Sequence, residues 1–411
     1  RNENPKNIRN QLLKYISKTK VFNIGKRELA IKKAIQNAEP NELILVAGKG
    51  HEEKQIYKNK ILNISDKKII ERINFKHKVI YLKKQNYFQN NQILKKIINI
   101  SKSVNFKGLS IDTRTLKKEN LFLAIKGKIN DGNNFIKDAL KKGAGCAVSS
   151  FNRKKNKKII KIKNTILFLN NFAKLKREHS YAKIISITGS AGKTSLKNLI
   201  KDLLPHFGKT YYSPKSFNNH FGVPVSLSNL SCEDKFGVFE VGMSKPGEIR
   251  NLTKLIKPHI GIITNIGEAH IENFKNIYGV AKAKSEIIEN IKVGGTVILN
   301  RDDKFFNFLN KKAKKYKLNI STFGKHKNSD VRIDKIIHKD KISKIFIKIK
   351  DKKINLEIRD INFYNVLASL AVLKELNLDL SKILTKFKDF KSSEGRGKKY
   401  TISRYNKKFK F

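Results

Sequence analysis

The segment Thr188-Gly189-Ser190-Ala191-Gly192-Lys193-Thr194-Ser195 has the residue types of a loop that holds a nucleoside triphosphate. Its glycines let backbone N–H groups converge on phosphate oxygens, and a helix starting behind the loop adds the positive end of its dipole. Lys193 suits the β- and γ-phosphates, and the Thr194 hydroxyl suits a magnesium ion bound to them. The generic pattern has a glycine five residues before its Gly-Lys pair, but position 187 is isoleucine. Magnesium needs more hard oxygens than one hydroxyl. Glu240 closes the apolar run 236–240, at a strand end of the kind where doubly wound sheets bind ligands. Taken alone, Glu240 fits a helix-capping acid equally well. His270, in Asn265-Ile-Gly-Glu-Ala-His270, follows the apolar run 260–264. A lone histidine is more often structural, yet its strand-end position, shared with Thr194 and Glu240, favours a ligand.

The elements that must carry these residues follow from hydrophobic patterning. Short apolar runs at 184–188, 238–241, 260–264 and 296–300 predict buried strands, with helices between them, one of which spans 194–204 and stops at Pro205. That alternation predicts a parallel doubly wound sheet. Residues 331–358 alternate Ile with Lys and Asp and predict a hairpin of half-exposed strands, and 365–375 an apolar helix. Upstream, strands at 121–125 and 146–149 flank a helix at 135–142 that stops at Gly143, which predicts a small α/β domain. Residues 28–38 have helical spacing, and 42–47 form an apolar run closed by Gly48. Residues 76–104 lack Gly and Pro and read as a linker with some helix. The predicted domains are 1–80, a linker over 81–104, then 105–175, 180–391, and the start of a further domain at 392–411.

Composition bounds the function. The 411 residues contain 39% hydrophobic residues, enough for several buried cores. No apolar run approaches the ~20 residues of a membrane span. Cys146 and Cys232 are far apart and outside any metal-ligand spacing, which fits a reducing cytoplasm. The formal charge of +55 raises a nucleic-acid partner. However, the excess is Lys rather than Arg, is spread along the chain, and is not interleaved with aromatics as a stacking surface requires. No nucleic-acid partner is expected, and the charge reads as a long-range field that attracts anionic substrates.

These segments, taken in order, resemble the Mur ligase family of peptidoglycan precursor synthesis. The resemblance over 106–411 rests on Ser110-Ile-Asp-Thr-Arg114, Leu121-Phe-Leu-Ala-Ile-Lys126-Gly127, Asp131-Gly132, the phosphate loop and Asn218-Asn219-His-Phe-Gly222-Val-Pro224. It continues through Glu240-Val-Gly, Asn265 to His270, Val280-Ala-Lys-Ala-Lys284-Ser-Glu286 and Gly395-Arg396-Gly397. The branch it resembles adds D-alanyl-D-alanine to UDP-MurNAc-tripeptide. Residues 1–75, with Arg27-Glu-Leu-Ala-Ile31 and Ala47-Gly-Lys-Gly-His51-Glu52, resemble the C-terminal domain of the diaminopimelate-adding branch. The implied fold is α/β: a Rossmann-like C-terminal-type domain, a small α/β UDP-binding domain and a P-loop doubly wound central domain. The implied polypeptide is a fragment of a two-ligase fusion, and a fragment with little turnover of its own.

The resemblance implies a bacterial, cytoplasmic, monomeric amide ligase that uses ATP and Mg²⁺ through an acyl phosphate. By that resemblance the loop residues Gly189, Ser190, Ala191, Gly192, Lys193, Thr194 and Ser195 bind ATP, joined by Asn265, Asn365 and Arg396. Thr194 and Glu240 hold one metal ion, and His270 and Lys284 a second. Lys193, His270 and Lys284 are the implied catalytic residues. Lys284 matches a lysine that becomes carbamylated, although in the sequence itself it differs little from Lys282. Asn218 and Asn219 face the peptide carboxylate, while Asp112, Thr113, Arg114 and Lys126 line the UDP end. Simple turn chemistry explains Asp112 and Thr113 equally well. Arg1, Gly48 and Glu52 meet diaminopimelate in the first unit. The family often has histidine four residues before Asn365, where this chain has Ile361. The acid usual before Arg27 is Lys26. A folylpolyglutamate-type ligase and a nucleic-acid-binding P-loop ATPase are the competing readings.

Overall fold

A computed structural model of the chain describes residues 7–11, 23–37, 46, 54–57, 60–63, 65–66, 69–70, 89–98, 104–127, 130–151, 156–339, 342–350, 352–359, 361–390, 401–404 and 407–410. They fall into two compact units, 1–85 and 86–411. In the first, helix α1 (Arg27–Asn37) follows the predicted spacing, and β1 (Lys54–Tyr57) pairs antiparallel with β2 (Lys60–Asn63). Arg27 makes a bidentate pair with Asp66 at 2.8 and 2.7 Å. The predicted strand 42–47 lies, but for Val46, outside the described residues, as do Arg1, Gly48 and Glu52.

The second unit opens with helix α2, residues 89–98. The predicted linker is therefore partly a packed element: Ile93 and Leu94 are buried against Phe106, Leu121 and Phe172. A four-stranded parallel sheet follows, in the order β3 (Gly108–Ser110), β4 (Asn120–Leu123), β5 (Cys146–Ser149) and β6 (Ile159–Lys161). Helix α3 (Ile136–Lys141) covers one face, packing Ile136 and Ala139 on Phe122 and Ala147. Helix α4 (Thr165–Glu178), capped by the Asn164 side chain, covers the other.

The chain then builds a nine-stranded sheet from β7 (Lys183–Thr188), β8 (Thr210–Tyr212), β9 (Phe236–Glu240), β10 (Ile260–Ile263), β11 (Thr296–Asn300), β12 (Asn319–Gly324), β13 (Val331–Lys339), β14 (Ile342–Ile349) and β15 (Lys352–Ile358). Its order is β15-β14-β13-β12-β11-β10-β7-β9-β8. The six strands from β7 to β12 pair parallel, and β13 joins β12 in parallel. β7, β9, β10 and β11 read as unbroken apolar runs because both faces are covered. Ile185 and Ile187 pack under α5 (Lys193–Leu203) and α10 (Phe363–Glu375). Ile184 and Ile263 pack on the other face with α6 (Gly222–Ser228), α7 (Glu248–Ile256), α8 (Ile277–Lys284) and α9 (Phe306–Lys315). The predicted hairpin is instead a three-stranded antiparallel meander, β13 to β15, which extends the parallel sheet. Strand order reverses at β7: β8 and β9 lie to one side, β10 and its successors to the other. A crevice at such a switch point is where open α/β sheets bind ligands.

The small sheet is fastened to the large one by specific contacts. Val225 of α6 enters the small core. The Asn229 amide accepts from Leu109 N at 2.9 Å and donates to Leu109 O at 2.8 Å. Arg177 of α4 donates to the carbonyls of Ile256 and Lys257 at 2.5 and 2.8 Å, satisfying the C-terminus of α7. Beyond residue 390, β16 (Thr401–Arg404) pairs antiparallel with β17 (Lys407–Lys410), and Arg396 lies outside the described residues.

Candidate phosphate-loop site

The loop between β7 and α5 is shaped by two glycines. Gly189 has φ of 150°, and a Cβ there would sit 1.9 Å from Thr264 Oγ1. Gly192 precedes α5 with φ of 82°, and a Cβ would lie 3.0 Å from Asn365 Oδ1. Thus the loop lies against the end of β10 and against α10. Asn265 fastens it from below, accepting from Ser190 N at its carbonyl (3.0 Å) and from Ala191 N at its Oδ1 (2.9 Å). Thr264 Oγ1 donates to the Ala191 carbonyl at 2.6 Å, and Ser190 Oγ donates to Gly267 O and accepts from Gly267 N. Lys193 folds back so that Nζ donates to Gly189 O at 2.7 Å.

The next residue points elsewhere. Thr194 Oγ1 donates to Glu240 Oε2 at 2.8 Å, joining the start of α5 to the end of β9. Asn218 Nδ2 donates to the other oxygen, Oε1, at 2.9 Å. Lys197, one turn along α5, brings Nζ to 3.3 Å from Glu240 Oε2, and both side chains are 2% exposed. Lys197 Nζ also donates to the Lys215 carbonyl. A buried carboxylate is tolerated when it is paired and its lone pairs are occupied, and Glu240 meets that condition. It is not the helix-capping acid its sequence position allows.

Above this ring is a cavity of about 490 Å³, within the usual range for ligand sites. Lys193, Asn218, Asn219, His220, His270 and Lys284 line it. Lys284, 2% exposed at the end of α8, has its ammonium pKa pushed down to about 7, first by burial and then by the charge of Lys193. His270 adopts φ of 65°, is exposed, and faces Glu272 with 3.8 Å between Nδ1 and Oε1. Among the described residues no three His, Cys, Asp or Glu side chains gather as a metal cage. Thr194 and Glu240 nonetheless offer two adjoining hard oxygens beside the phosphate loop. They fit a magnesium ion that takes its other ligands from phosphate and water, as this ion commonly does. Lys284 as an ammonium offers no lone pair to a metal, and His270 and Lys284 are brought to one cavity without being joined.

The remaining expected residues divide. Asn219 lines the cavity but spends Oδ1 on the N–H groups of Phe221 and Gly222, starting α6. Asn365 is buried against Gly192. Asp112 enters a second cleft of about 530 Å³ with Leu109, Tyr212, Phe217 and Asn229. The hydrogen-bonding guanidinium of Arg114 holds the Asp112 carboxyl below its usual range. Thr113, Arg114 and Lys126 are not brought to that cleft: Arg114 is turned onto Asp112, and Lys126 bridges Asp131 through its backbone. The predictions missed Lys197, Thr264 and Asp303, whose Oδ2 accepts from Ile266 N at 2.7 Å. Applying the strand-end rule to β11 finds Asp303, three residues beyond Asn300; Lys197 is signalled only by its helical spacing from Lys193 and Thr194.

Comparison with known proteins follows the same division of the chain. Residues 105–183 match the Mur ligase family catalytic domain and residues 187–373 the Mur ligase middle domain. The UDP-N-acetylmuramoyl-tripeptide--D-alanyl-D-alanine ligase of Rickettsia prowazekii (strain Madrid E) is 33% identical over 309 residues, covering 73% of this chain and 68% of the relative. The enzyme of that name from Buchnera aphidicola subsp. Acyrthosiphon pisum is 37% identical over 277 residues, covering 66% of this chain and 61% of the relative. The crystal structure of MurF from Acinetobacter baumannii superposes with a TM-score of 0.67 at 25% identity, covering 78% of this chain and 72% of that one. The chain thus spans less than two thirds of the Buchnera relative's length.

Proposed function

The chain belongs to the Mur ligase family, and from that premise we propose that it carries the ATP and UDP-substrate domains of a ligase that joins D-alanyl-D-alanine to UDP-MurNAc-tripeptide. The observation that carries this reading is the join of Thr194, Glu240 and Asn218 beneath a cavity lined by Lys193 and Lys284. The relatives that bear this activity in their names support it.

Amide formation needs the carboxylate oxygen converted into a leaving group. The γ-phosphoryl group of ATP passes to the terminal carboxylate of the tripeptide, giving an acyl phosphate and ADP. The amine of D-alanyl-D-alanine attacks the acyl carbon, the C–O bond to phosphate breaks, and inorganic phosphate leaves with the amine's proton lost to solvent. The protein positions the groups and neutralises charge. Lys193 exchanges the Gly189 carbonyl for the β- and γ-phosphates. Backbone N–H groups at the start of α5 face the same oxygens. Thr194 and Glu240 would hold Mg²⁺, which supplies charge neutralisation of the triphosphate. Asn218 and Asn219 face the carboxylate of the peptide. Asn265 fixes the loop beneath the nucleotide and Asn365 lies against it, while by the family resemblance Arg396 is assigned to ATP binding. Lys284, its amine near neutrality, accepts CO₂ to become a carbamate, whose oxygens with His270 would complete a second cation site. Asp112 lies at the UDP end. The +55 charge draws these anionic substrates in. Soluble nucleotide-linked substrates point to a cytoplasmic enzyme, here taken to be a monomer, and no described helix is long and apolar enough to cross a membrane.

Calorimetry with Mg-ATP, UDP-MurNAc-tripeptide and a folate, beside a phosphate-release assay with D-alanyl-D-alanine, tests the reading. It expects binding of the first two and none of folate. Binding of folate in place of the UDP-peptide, or ATP hydrolysis stimulated by DNA or RNA, would overturn it.

A further inference from the structure

Lys197 is a cation at the site to which the function above gives no task. It stands on the same face of α5 as Lys193 and Thr194, one turn further from the loop. Its side chain is 2% exposed, so its charge is not solvated by bulk water. Its Nζ meets groups on different elements, among them Glu240 Oε2 at the end of β9, at 3.3 Å, and the Lys215 carbonyl in the segment between β8 and α6 that also carries Asn218. Burying an ammonium is unfavourable unless it answers a specific opposite charge. The charge it answers is that of Glu240, the carboxylate shared by Thr194 and Asn218.

We propose that Lys197 is a positioning residue, the resident counter-ion of Glu240, which keeps that carboxylate aimed at Thr194 before a divalent cation arrives and then weakens the cation's hold by standing beside it. The inference rests on the reading of Thr194 and Glu240 as a metal pair. A lysine 3.3 Å from the carboxylate holds the anion in place, yet repels an arriving dication across a few ångströms of poorly solvating protein. Through the Lys215 carbonyl it also ties Glu240 to the backbone near Asn218.

A lysine that served only packing would, on removal, loosen the site and weaken every ligand. The counter-ion role predicts the opposite sign for a metal. In Lys197→Gln the charge is gone while a donor for the Lys215 carbonyl remains. Mn²⁺ alone, titrated into the nucleotide-free chain and followed by water proton relaxation, is expected to bind roughly tenfold tighter than in the unaltered chain. The gain should vanish in the double variant Lys197→Gln/Glu240→Gln. Equal or weaker Mn²⁺ binding in the single variant, or a gain that survives loss of Glu240, overturns the proposal. Circular dichroism checks folding. Should the glutamine variant not fold, Lys197→Arg keeps the charge and is expected to leave Mn²⁺ affinity unchanged, and a tenfold gain there overturns the proposal as well. A separate Mg-ATP titration of the unaltered chain addresses the functional reading: if ATP fails to bind, that reading falls while the Mn²⁺ comparison stands on its own.

Discussion

Thr194 Oγ1 donates to Glu240 Oε2 over 2.8 Å, so one hydrogen bond links the phosphate loop's helix to the neighbouring parallel strand. Both side chains are buried, at 8% and 2% exposure, so the bond is shielded from water. In Thr194→Ala the carboxylate loses a buried donor, an effect of about 1–3 kcal/mol. Mg-ATP affinity is expected to fall by roughly 10- to 100-fold, as read by calorimetry, because the same hydroxyl is the proposed ligand of the metal. Thr194→Ser keeps the hydroxyl and should stay within a few-fold of the unaltered chain. Alanine binding as tightly as threonine would remove Thr194 from the metal site.

Gly189→Ala tests the seating of the loop. The added methyl meets Thr264 Oγ1 at 1.9 Å, in a backbone conformation with φ of 150° that L-residues rarely adopt. A loss of about 2–4 kcal/mol and of nucleotide binding is expected in chemical denaturation and calorimetry. Thr264→Ala removes the clashing oxygen. The Gly189→Ala penalty should therefore shrink in a Thr264→Ala background without disappearing, since the φ strain persists. A full penalty there would mean that the steric contact contributes nothing.

The parallel strands were legible because a strand covered on both faces needs an unbroken apolar run, as in Val238-Phe239 or Ile260 to Ile263. The phosphate loop was legible because few residues besides glycine tolerate the conformations at positions 189 and 192. The third strand of the 331–358 meander was not legible. Its last turn uses Lys350 at φ of 51° where glycine or asparagine is usual, so no glycine or asparagine marks the break. Helix α2 was obscured by its Asn, Gln and Lys residues, and only its tertiary contacts reveal Ile93 and Leu94 as core. Lys197 was hidden for a compositional reason: with 89 Lys and Arg in the chain, one more lysine on a helix carries no signal until its burial is seen. The cleft at Asp112 shows the converse, since Thr113, Arg114 and Lys126 belong to the same motifs but do not line it.

Lys284 gives the site a pH dependence. Burial, and then the charge of Lys193, lower its pKa to about 7 from an ordinary 10.5. Between these values the unfolded chain holds a proton that the folded chain has released, so stability rises with pH across that window. As pH falls toward 7 the gain is lost, and below it the buried ammonium exerts its full penalty. Lys176, with its pKa lowered to about 8 by burial, adds a slope of the same sign. Comparison with Lys284→Met isolates one group: the variant should be more stable than the unaltered chain by the largest margin below pH 7, with the margin shrinking toward pH 10. Urea titrations at four pH values measure this, and a margin independent of pH would show that Lys284 does not titrate there. The same amine should yield a carbamate carbon resonance in ¹³C-bicarbonate that is absent in Lys284→Met.

The two sheets of the second unit meet at the Asn229 amide, which satisfies both backbone groups of Leu109 on the edge strand β3. Leu109 and Asn229 also line the cleft that holds Asp112 and Tyr212, on the far side of β8 from the phosphate loop's own partners. Asn229→Ala leaves a part-buried N–H and C=O without their partner, an expected loss of about 2–3 kcal/mol. Asn229→Asp should be no better, because a carboxylate can accept from Leu109 N but presents a second acceptor to Leu109 O. The functional consequence should be selective. The phosphate loop is held by Thr264 and Asn265 and lies against Asn365, whereas Asn229 hydrogen-bonds to Leu109 and Val225. Mg-ATP affinity is therefore expected to stay within about twofold, while UDP-MurNAc-tripeptide affinity falls by roughly tenfold or more as the cleft wall loses its anchor. Calorimetry with each ligand decides it. Equal weakening of both would mean that the substitution loosens the whole unit, and unchanged UDP-peptide binding would mean that the substrate does not depend on this wall of the cleft.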